Sequence, residues 1–174
     1  MRHRLIPAIL SLAVTASPGG VAADVRLVEA GIICPRESSG ELVPAPRTEA
    51  GHIRLIDESL GFDLLSRTVP TMDGLSFGFR TELEPGVSLR DVTVVVTHPP
   101  MGAAEVVREE WDDVLAANDT SLNLFTFEEA YEKVPGIWTF AIEIDGQPVV
   151  TVPFEVTKTD GRNEVERACF QFLS

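Results

Sequence analysis

The sequence is poor in the residue types that carry most protein chemistry. Of 174 residues, three are histidine, two cysteine, three methionine and one tyrosine. Beyond the first residues, read below as a leader, only His52 and His98 remain, with no second ligand at helical or hairpin spacing from either. Zinc takes three or four nitrogen or sulfur ligands, so no zinc site is expected. Reduced copper takes thioether sulfur, and Met72 and Met101 are all that is left for it; His98 with Met101 makes a pair, too few ligands for a site. Calcium would have to draw on Glu109, Glu110, Asp112, Asp113 and Asp119, but the ordered D-x-D-x-D-G loop is missing and the run reads as a solvated acidic edge. Basic residues are scarce as well, 14 against 27 acidic ones, for a formal net charge of −13. Nucleic acid and anionic lipid would be repelled by such a surface, which excludes both as partners. No glycine-rich phosphate loop and no basic patch is present, and no cofactor is expected.

Long apolar runs are missing too, with one short exception. Arg2, His3 and Arg4 precede an apolar stretch from Leu5 to Ala16, then Ser17, Pro18, Gly19 and Gly20 break any helix. Val21-Ala22-Ala23 places small residues where a signal peptidase reads. The stretch has about 12 residues, against the roughly 20 that span a bilayer. Residues 1–23 are therefore expected to be a bacterial-type signal peptide cleaved after Ala23. No cysteine stands at the cut to carry a lipid. Residues 24–174 then form one periplasmic or secreted domain, since about 150 residues is one domain by length and buries roughly 70% of its unfolded surface. No membrane insertion is expected after cleavage.

Cys34 and Cys169 stand near opposite ends of that domain. In an oxidising compartment an even pair favours a disulfide, here a structural clasp between the first strand and the C-terminal tail. Two separate buried thiols are the alternative.

What the sequence does hold is alternation. Trp138, Phe140, Ile142 and Ile144 alternate with smaller or polar residues, Asp145-Gly146 supplies a turn, and Val150, Val152, Phe154 and Val156 alternate again. A hairpin with one apolar face needs a second layer to cover it. Val25 to Ile33, Ile53 to Ile56, Leu64 to Val69 and Leu75 to Phe79 read as further strands. Val92 to Thr97, apolar on both faces, reads as a central one. Leu122 to Phe127 changes phase at Leu124-Phe125, as a bulge would cause. Turn signals stand at Asp73-Gly74, Pro85-Gly86 and Pro99-Pro100. Pro35 to Gly51 reads as a long loop. Glu105 to Ala117 fits both a helical stripe (Val107, Trp111, Val114, Leu115) and an alternating strand, with the valines tilting it toward strand. The expected fold is an all-β, immunoglobulin-like antiparallel sandwich of about seven to eight strands, with at most one short helix.

One motif matches hydrolase chemistry literally. Gly74-Leu75-Ser76-Phe77-Gly78 fits G-x-S-x-G, which in a serine hydrolase is a strained strand-to-helix elbow. Here it lies within an alternating strand with no helical pattern after it, and only His98 follows as a base inside the domain. Glycines placed for close packing at a strand start are the better reading. Carboxylate pairs for glycoside chemistry leave no trace in spacing alone. Of the two tryptophans, Trp138 alternates with core residues, and Trp111 is the one free to meet a ligand.

An ordered set of motifs, Thr68-Val69-Pro70, then Gly74 to Phe79, then His98-Pro99-Pro100, then Pro135 to Phe140, resembles an uncharacterised family of exported proteobacterial proteins known as a domain of unknown function. The resemblance covers Arg26 to Thr157 and implies fold and export, with no catalytic residue. The expected function is a non-enzymatic domain engaging a protein or cell-envelope partner through an edge strand or loop face. The alternative is a small-ligand or metal-binding envelope module, and a hydrolase using Ser76 comes third. Export makes a direct prediction: the intact mass of protein secreted by a bacterial host is expected to start at Asp24, and a cell-associated product keeping residues 1–23 would refute the leader.

Overall fold

The computed structural model describes residues 24–37, 39–161 and 163–172, so the expected leader lies outside the described residues. The last hairpin forms as its alternation requires: β9 (Gly136–Ile144) pairs antiparallel with β10 (Gln147–Thr157), setting Trp138, Phe140 and Ile142 opposite Phe154, Val152 and Val150. All six are buried. Asp145 and Gly146 turn with φ of 51° and 72°, the doubly positive geometry that suits a two-residue hairpin. Then β6 (Leu89–Met101) pairs with β9, and β7 (Val106–Ala116) pairs with β6. At the other edge β4 (Thr68–Pro70) joins β10 in parallel. The five-stranded sheet runs β4-β10-β9-β6-β7. As expected of a central strand, β6 is buried on both faces, with Val94 and Val96 on one and Val95 on the other.

A three-stranded sheet of β1 (Val25–Ile33), β5 (Ser76–Leu83) and β8 (Thr120–Thr126), in the order β1-β5-β8, covers the apolar face. Phe77 joins the two layers. Its ring centroid lies 5.5 Å from Phe140 and 5.3 Å from Phe154 across the interface, and it also meets Phe125, Phe127 and Trp138. Tilted and edge-on aromatic pairs of this kind add about 0.5–1.5 kcal/mol each beyond their burial. The fold is the immunoglobulin-like β-sandwich expected, antiparallel except at β4.

Glu105 to Ala117 resolves as strand, the reading its valines favoured: β7 pairs with β6 from Arg108 to Ala116 and again at Val106. Four other local readings change. Pro99-Pro100 lies inside β6 and makes no turn; prolines cannot donate, so the ladder to β7 skips from Thr97 to Met101, and the reversal follows at Gly102 to Glu105, both with positive φ. The bulge expected near Leu124-Phe125 is absent: β8 pairs with β5 without a break from Thr120 to Thr126. Adjacent apolar residues occur there because both faces of β8 are covered. Finally, Pro35 to Gly51 is not all loop. It contains β2 (Leu42–Pro44), which pairs with β3 (His52–Arg54) in a two-stranded arm outside the sandwich, so Ile53 belongs to the arm. Leu64 to Val69 is likewise divided, Leu64 bridging to Ile32 of β1 and Val69 lying in β4.

After β10 the chain ends in the short helix α1 (Glu164–Phe172), whose buried face carries Val165, Glu166 and Cys169. Cys169 is disulfide-bonded to Cys34, just beyond β1, with Cα atoms 5.2 Å apart. The clasp closes a separation of 135 residues. In the chain-entropy model a loop that long contributes about 5 kcal/mol. Replacing both cysteines by alanine is expected to lower the urea-unfolding free energy by about 2–5 kcal/mol, and an unchanged midpoint would show that the clasp constrains nothing.

Candidate functional site

The flank of the sandwich between edge strands β7 and β8 is where its apolar sealing stops. On β7, Glu109, Trp111 and Asp113 stand opposite Val96, Val94 and Val92 of β6. Directly paired residues share a face, and those valines are core residues, so the two acids and the tryptophan point inward. On β8, Ser121, Asn123 and Phe125 stand opposite Thr81, Phe79 and Phe77, and they too point inward. The polar groups satisfy one another in part: Ser121 Oγ donates to Asp113 Oδ2 at 2.8 Å, and Asn123 Nδ2 donates to Ser121 Oγ at 2.9 Å. Inward charge on an edge strand keeps that edge from pairing blindly with another chain. It also keeps the flank open.

Residues 36–60, with the β2–β3 arm, arch over this opening. On the β7 side the Arg47 guanidinium bonds Glu110 and Asp112, each at 2.8 Å. The Glu110 N–H donates to the Arg47 carbonyl at 3.1 Å, and the Glu49 N–H to Glu109 Oε1 at 2.7 Å. At its other end the arch rests on Arg80, buried on the outer face of β5. Arg80 Nη1 donates to the Glu58 carbonyl at 2.6 Å, Nη2 donates to the Leu60 carbonyl, and Nε meets Glu29 at 3.0 Å. Between arch and flank lies a groove of about 660 Å³ that takes in Trp111, both sides of the free β8 edge (Leu122, Leu124, Asn123 and Phe125), and Leu42 and Ile53 of the arm. Its lining holds eight carboxylates against two guanidinium groups.

Two of those carboxylates are buried. Glu109 is 4% exposed and Glu132 is 7% exposed. Burial pushes both carboxyls above their ordinary value, an effect that backbone N–H donors partly offset. For Glu132 those donors are the N–H groups of Glu128 and Glu129, both 2.7 Å from Oε2. Among the described residues neither Glu109 nor Glu132 pairs with a lysine or arginine. Behind Glu109 lies His98, fully buried, its ring 4.6 Å from Trp138. His98 Nδ1 is 2.8 Å from the Pro99 carbonyl, which can only accept, so Nδ1 carries the proton. His98 Nε2 then faces Glu109 Oε2 at 3.7 Å, too far for a hydrogen bond. Although that spacing is within ion-pair range, burial dominates and holds the imidazole below its ordinary value, hence neutral.

Of the residues singled out in the sequence, His52, Ser76, Glu109, Trp111, Asp112 and Asp113 line this groove, while Met72, His98, Met101 and Trp138 are buried. Ser76 lies in β5 with its hydroxyl 2.7 Å from that of Thr126. Both ring nitrogens of His98 face other groups. The glycines of G-x-S-x-G serve the backbone: Gly74 turns at φ 74°, and a Cβ on Gly78 would strike the Asn123 carbonyl of β8. The strand runs on where a hydrolase elbow turns into a helix. Met101 is in the core, His52 lines the groove, and no three His, Cys, Asp or Glu side chains among the described residues form a metal-type cluster. Trp138 is buried, with its Nε1–H on the Val134 carbonyl at 2.9 Å. The acidic run of β7 is no uniform solvated edge. Glu110 and Asp112 face out to Arg47, while Glu109 and Asp113 face in. Alternation of Glu109, Trp111, Asp113 and Leu115 carried that signal.

The buried histidine predicts a pH dependence. As pH falls below the ordinary 6.5, the unfolded chain takes up a proton before the fold does, so stability present above that pH is lost toward the lowered folded value. Glu109 and Glu132 act in the opposite sense, because their raised values let the fold hold protons above the ordinary 4.5. Relative to His98→Phe, the wild type is expected to lose up to about 1.4 kcal/mol per pH unit in the window below 6.5. Urea titrations on both sides of that pH check it, and parallel curves would exclude a buried neutral His98.

Comparison with known proteins places the chain without assigning it chemistry. No curated protein matches it. An immunoglobulin-like protein from Pseudomonas aeruginosa, known from its crystal structure, is similar at 18% identity and a TM-score of 0.46, over 79% of this chain and 100% of that one. A family model matches residues 21–156, most of the chain, and the chain belongs to that family, Domain of unknown function (DUF3859).

Proposed function

We propose that this chain is an exported, non-enzymatic binding module that seats an extended, basic segment of a protein or cell-envelope partner in the groove under the arm. One observation carries the reading: the free edge of β8 lies within a groove of about 660 Å³ whose walls combine Trp111, Leu124 and Phe125 with eight carboxylates and two guanidinium groups. A free strand edge offers main-chain hydrogen bonds to an extended peptide, and flanking pockets supply specificity. Charge decides the partner. Over the whole chain acidic residues outnumber basic ones 27 to 14, whereas in the groove the ratio doubles to eight against two. Export is supported by the leader motif and by the Cys34–Cys169 disulfide, a bond that persists in oxidising compartments. Among the described residues no helix is long and apolar enough to cross a membrane.

A second reading, a module for a small organic ligand, has the groove volume in its favour, since such pockets commonly measure about 300–1,000 Å³. Selection from a library of random extended peptides separates the two. Enrichment of sequences alternating basic and apolar residues is expected. Trp111→Ala or Leu124→Arg is expected to weaken the selected peptides about tenfold or more, as loss of a central anchor does. Enrichment of acidic peptides, or of none, would overturn the peptide reading. A stoichiometric small molecule in native mass spectra of the purified protein would turn the assignment to the second.

A further inference from the structure

Glu109 and Glu132 are an unusual pair to find lining one groove. Each is more than nine-tenths buried, and each carboxyl is anchored by backbone N–H groups only. The Glu109 charge is near enough to Glu132 to hinder its ionisation, and Glu49 acts likewise on Glu109. The phenol of Tyr131 is pushed up by burial and by the same acids, Glu132, Glu129, Glu49 and Glu109. Bringing carboxylates together out of water without a cation is costly, because burial disfavours the charged form and like charge adds to it. The nearest imidazole, His98, is neutral and points a bare Nε2 toward Glu109 from behind. Cations on the arch are engaged: Arg47 by Glu110 and Asp112, Arg36 by Asp63, and Arg54 by Glu128 and the Gly40 carbonyl. The groove thus holds an electrostatic demand that the described side chains leave unmet.

We infer that this acidic end of the groove receives one lysine or arginine side chain of the partner segment, with Glu109 and Glu132 as its counter-ions and Trp111 as the wall for its stem. The inference rests on the peptide-binding reading above and specifies its chemistry. Trp111 lies two residues from Glu109 on the same face of β7, so the indole flanks the carboxylate along the groove. A basic side chain has the matching form, an apolar stem ending in a charge, and a cation passing an indole gains further attraction. Desolvation favours the ion pair here over one at the rim, because the carboxylates are already buried and only the incoming cation must shed water. Guanidinium and ammonium share this chemistry, and free diamines share it as well.

The test uses the disulfide-intact chain and three probes: a capped heptapeptide of valines and threonines with one central lysine, the same peptide with norleucine in place of lysine, and cadaverine. Binding is read from tryptophan fluorescence and from amide shifts around β7 and β8. The lysine peptide is expected to bind about tenfold or more tightly than its norleucine isostere. Glu109→Gln and Glu132→Gln are each expected to abolish that difference, while binding of the norleucine peptide stays unchanged. Both glutamines keep an acceptor for the backbone N–H groups, and thermal melts confirm that the variants fold. If norleucine binds as well as lysine, the receptacle is refuted and the peptide groove stands. If cadaverine binds more tightly than the lysine peptide, the site serves a small cation and the partner-segment form is refuted. If neither peptide perturbs the groove, the receptacle is refuted, and the library selection separately decides the reading on which it rests.

Discussion

Packing of aromatic rings around Phe77 sets the geometry on which the rest of the molecule depends. Phe77 belongs to the smaller sheet, yet it contacts Trp138, Phe140 and Phe154 of the larger one, and Phe125 and Phe127 beside it. These contacts fix the separation and the lateral offset of the two sheets. Because one sheet has three strands and the other five, the layers do not meet edge for edge. Apolar side chains fill the centre, and on the β7–β8 flank they give out. There the inward positions are Glu109, Trp111 and Asp113 on one side and Ser121, Asn123 and Phe125 on the other.

An open flank of this kind must be covered or used, since inward polar groups cost free energy unless they are bonded or wet. The chain answers with the segment between β1 and β4. It departs just beyond Cys34, reaches β7 through Arg47 and Glu49, and then returns across the groove to Glu58 and Leu60, held by Arg80 on the outer face of the small sheet. Most of these links are single hydrogen bonds or exposed ion pairs, which contribute far less than the aromatic core. The arch is therefore the low-stability part of a rigid scaffold, the usual place for a binding surface. The Cys34–Cys169 clasp anchors its root.

The one hydrolase-like motif is spent on backbone packing in β5, and its serine is matched with a threonine. The perturbed groups, Glu109, Glu132 and His98, owe their shifts chiefly to burial. A perturbed group in a cleft is a candidate for a functional site, and here the perturbed acids Glu109 and Glu132 line a groove that also holds a free strand edge.

Much of the fold was legible in the sequence because β-structure announces itself locally. Period-two alternation is decided by the pleat, so Val25 to Ile33, Phe77-Phe79, the central valines of β6 and the final hairpin with its Asp-Gly turn could be read one strand at a time. Cysteine parity and the expected compartment pointed to the clasp. Where the reading went astray, a distant partner had overruled the local signal: prolines tolerated inside β6, an apolar pair on β8 covered on both faces, and a polar proline-rich stretch that still formed a strand. The groove was decided only by tertiary structure. Its walls come from residues 36–60, β7 and β8, and no local period records which of two edge strands will face each other or what will lie across them. Thus the sequence determined by itself that this is an acidic sandwich of alternating strands, since alternation and charge are properties of neighbours. That Glu109 and Glu132 should be gathered, buried and, among the described residues, left without a lysine or arginine is a property of the assembled sheets, fixed by long-range packing alone.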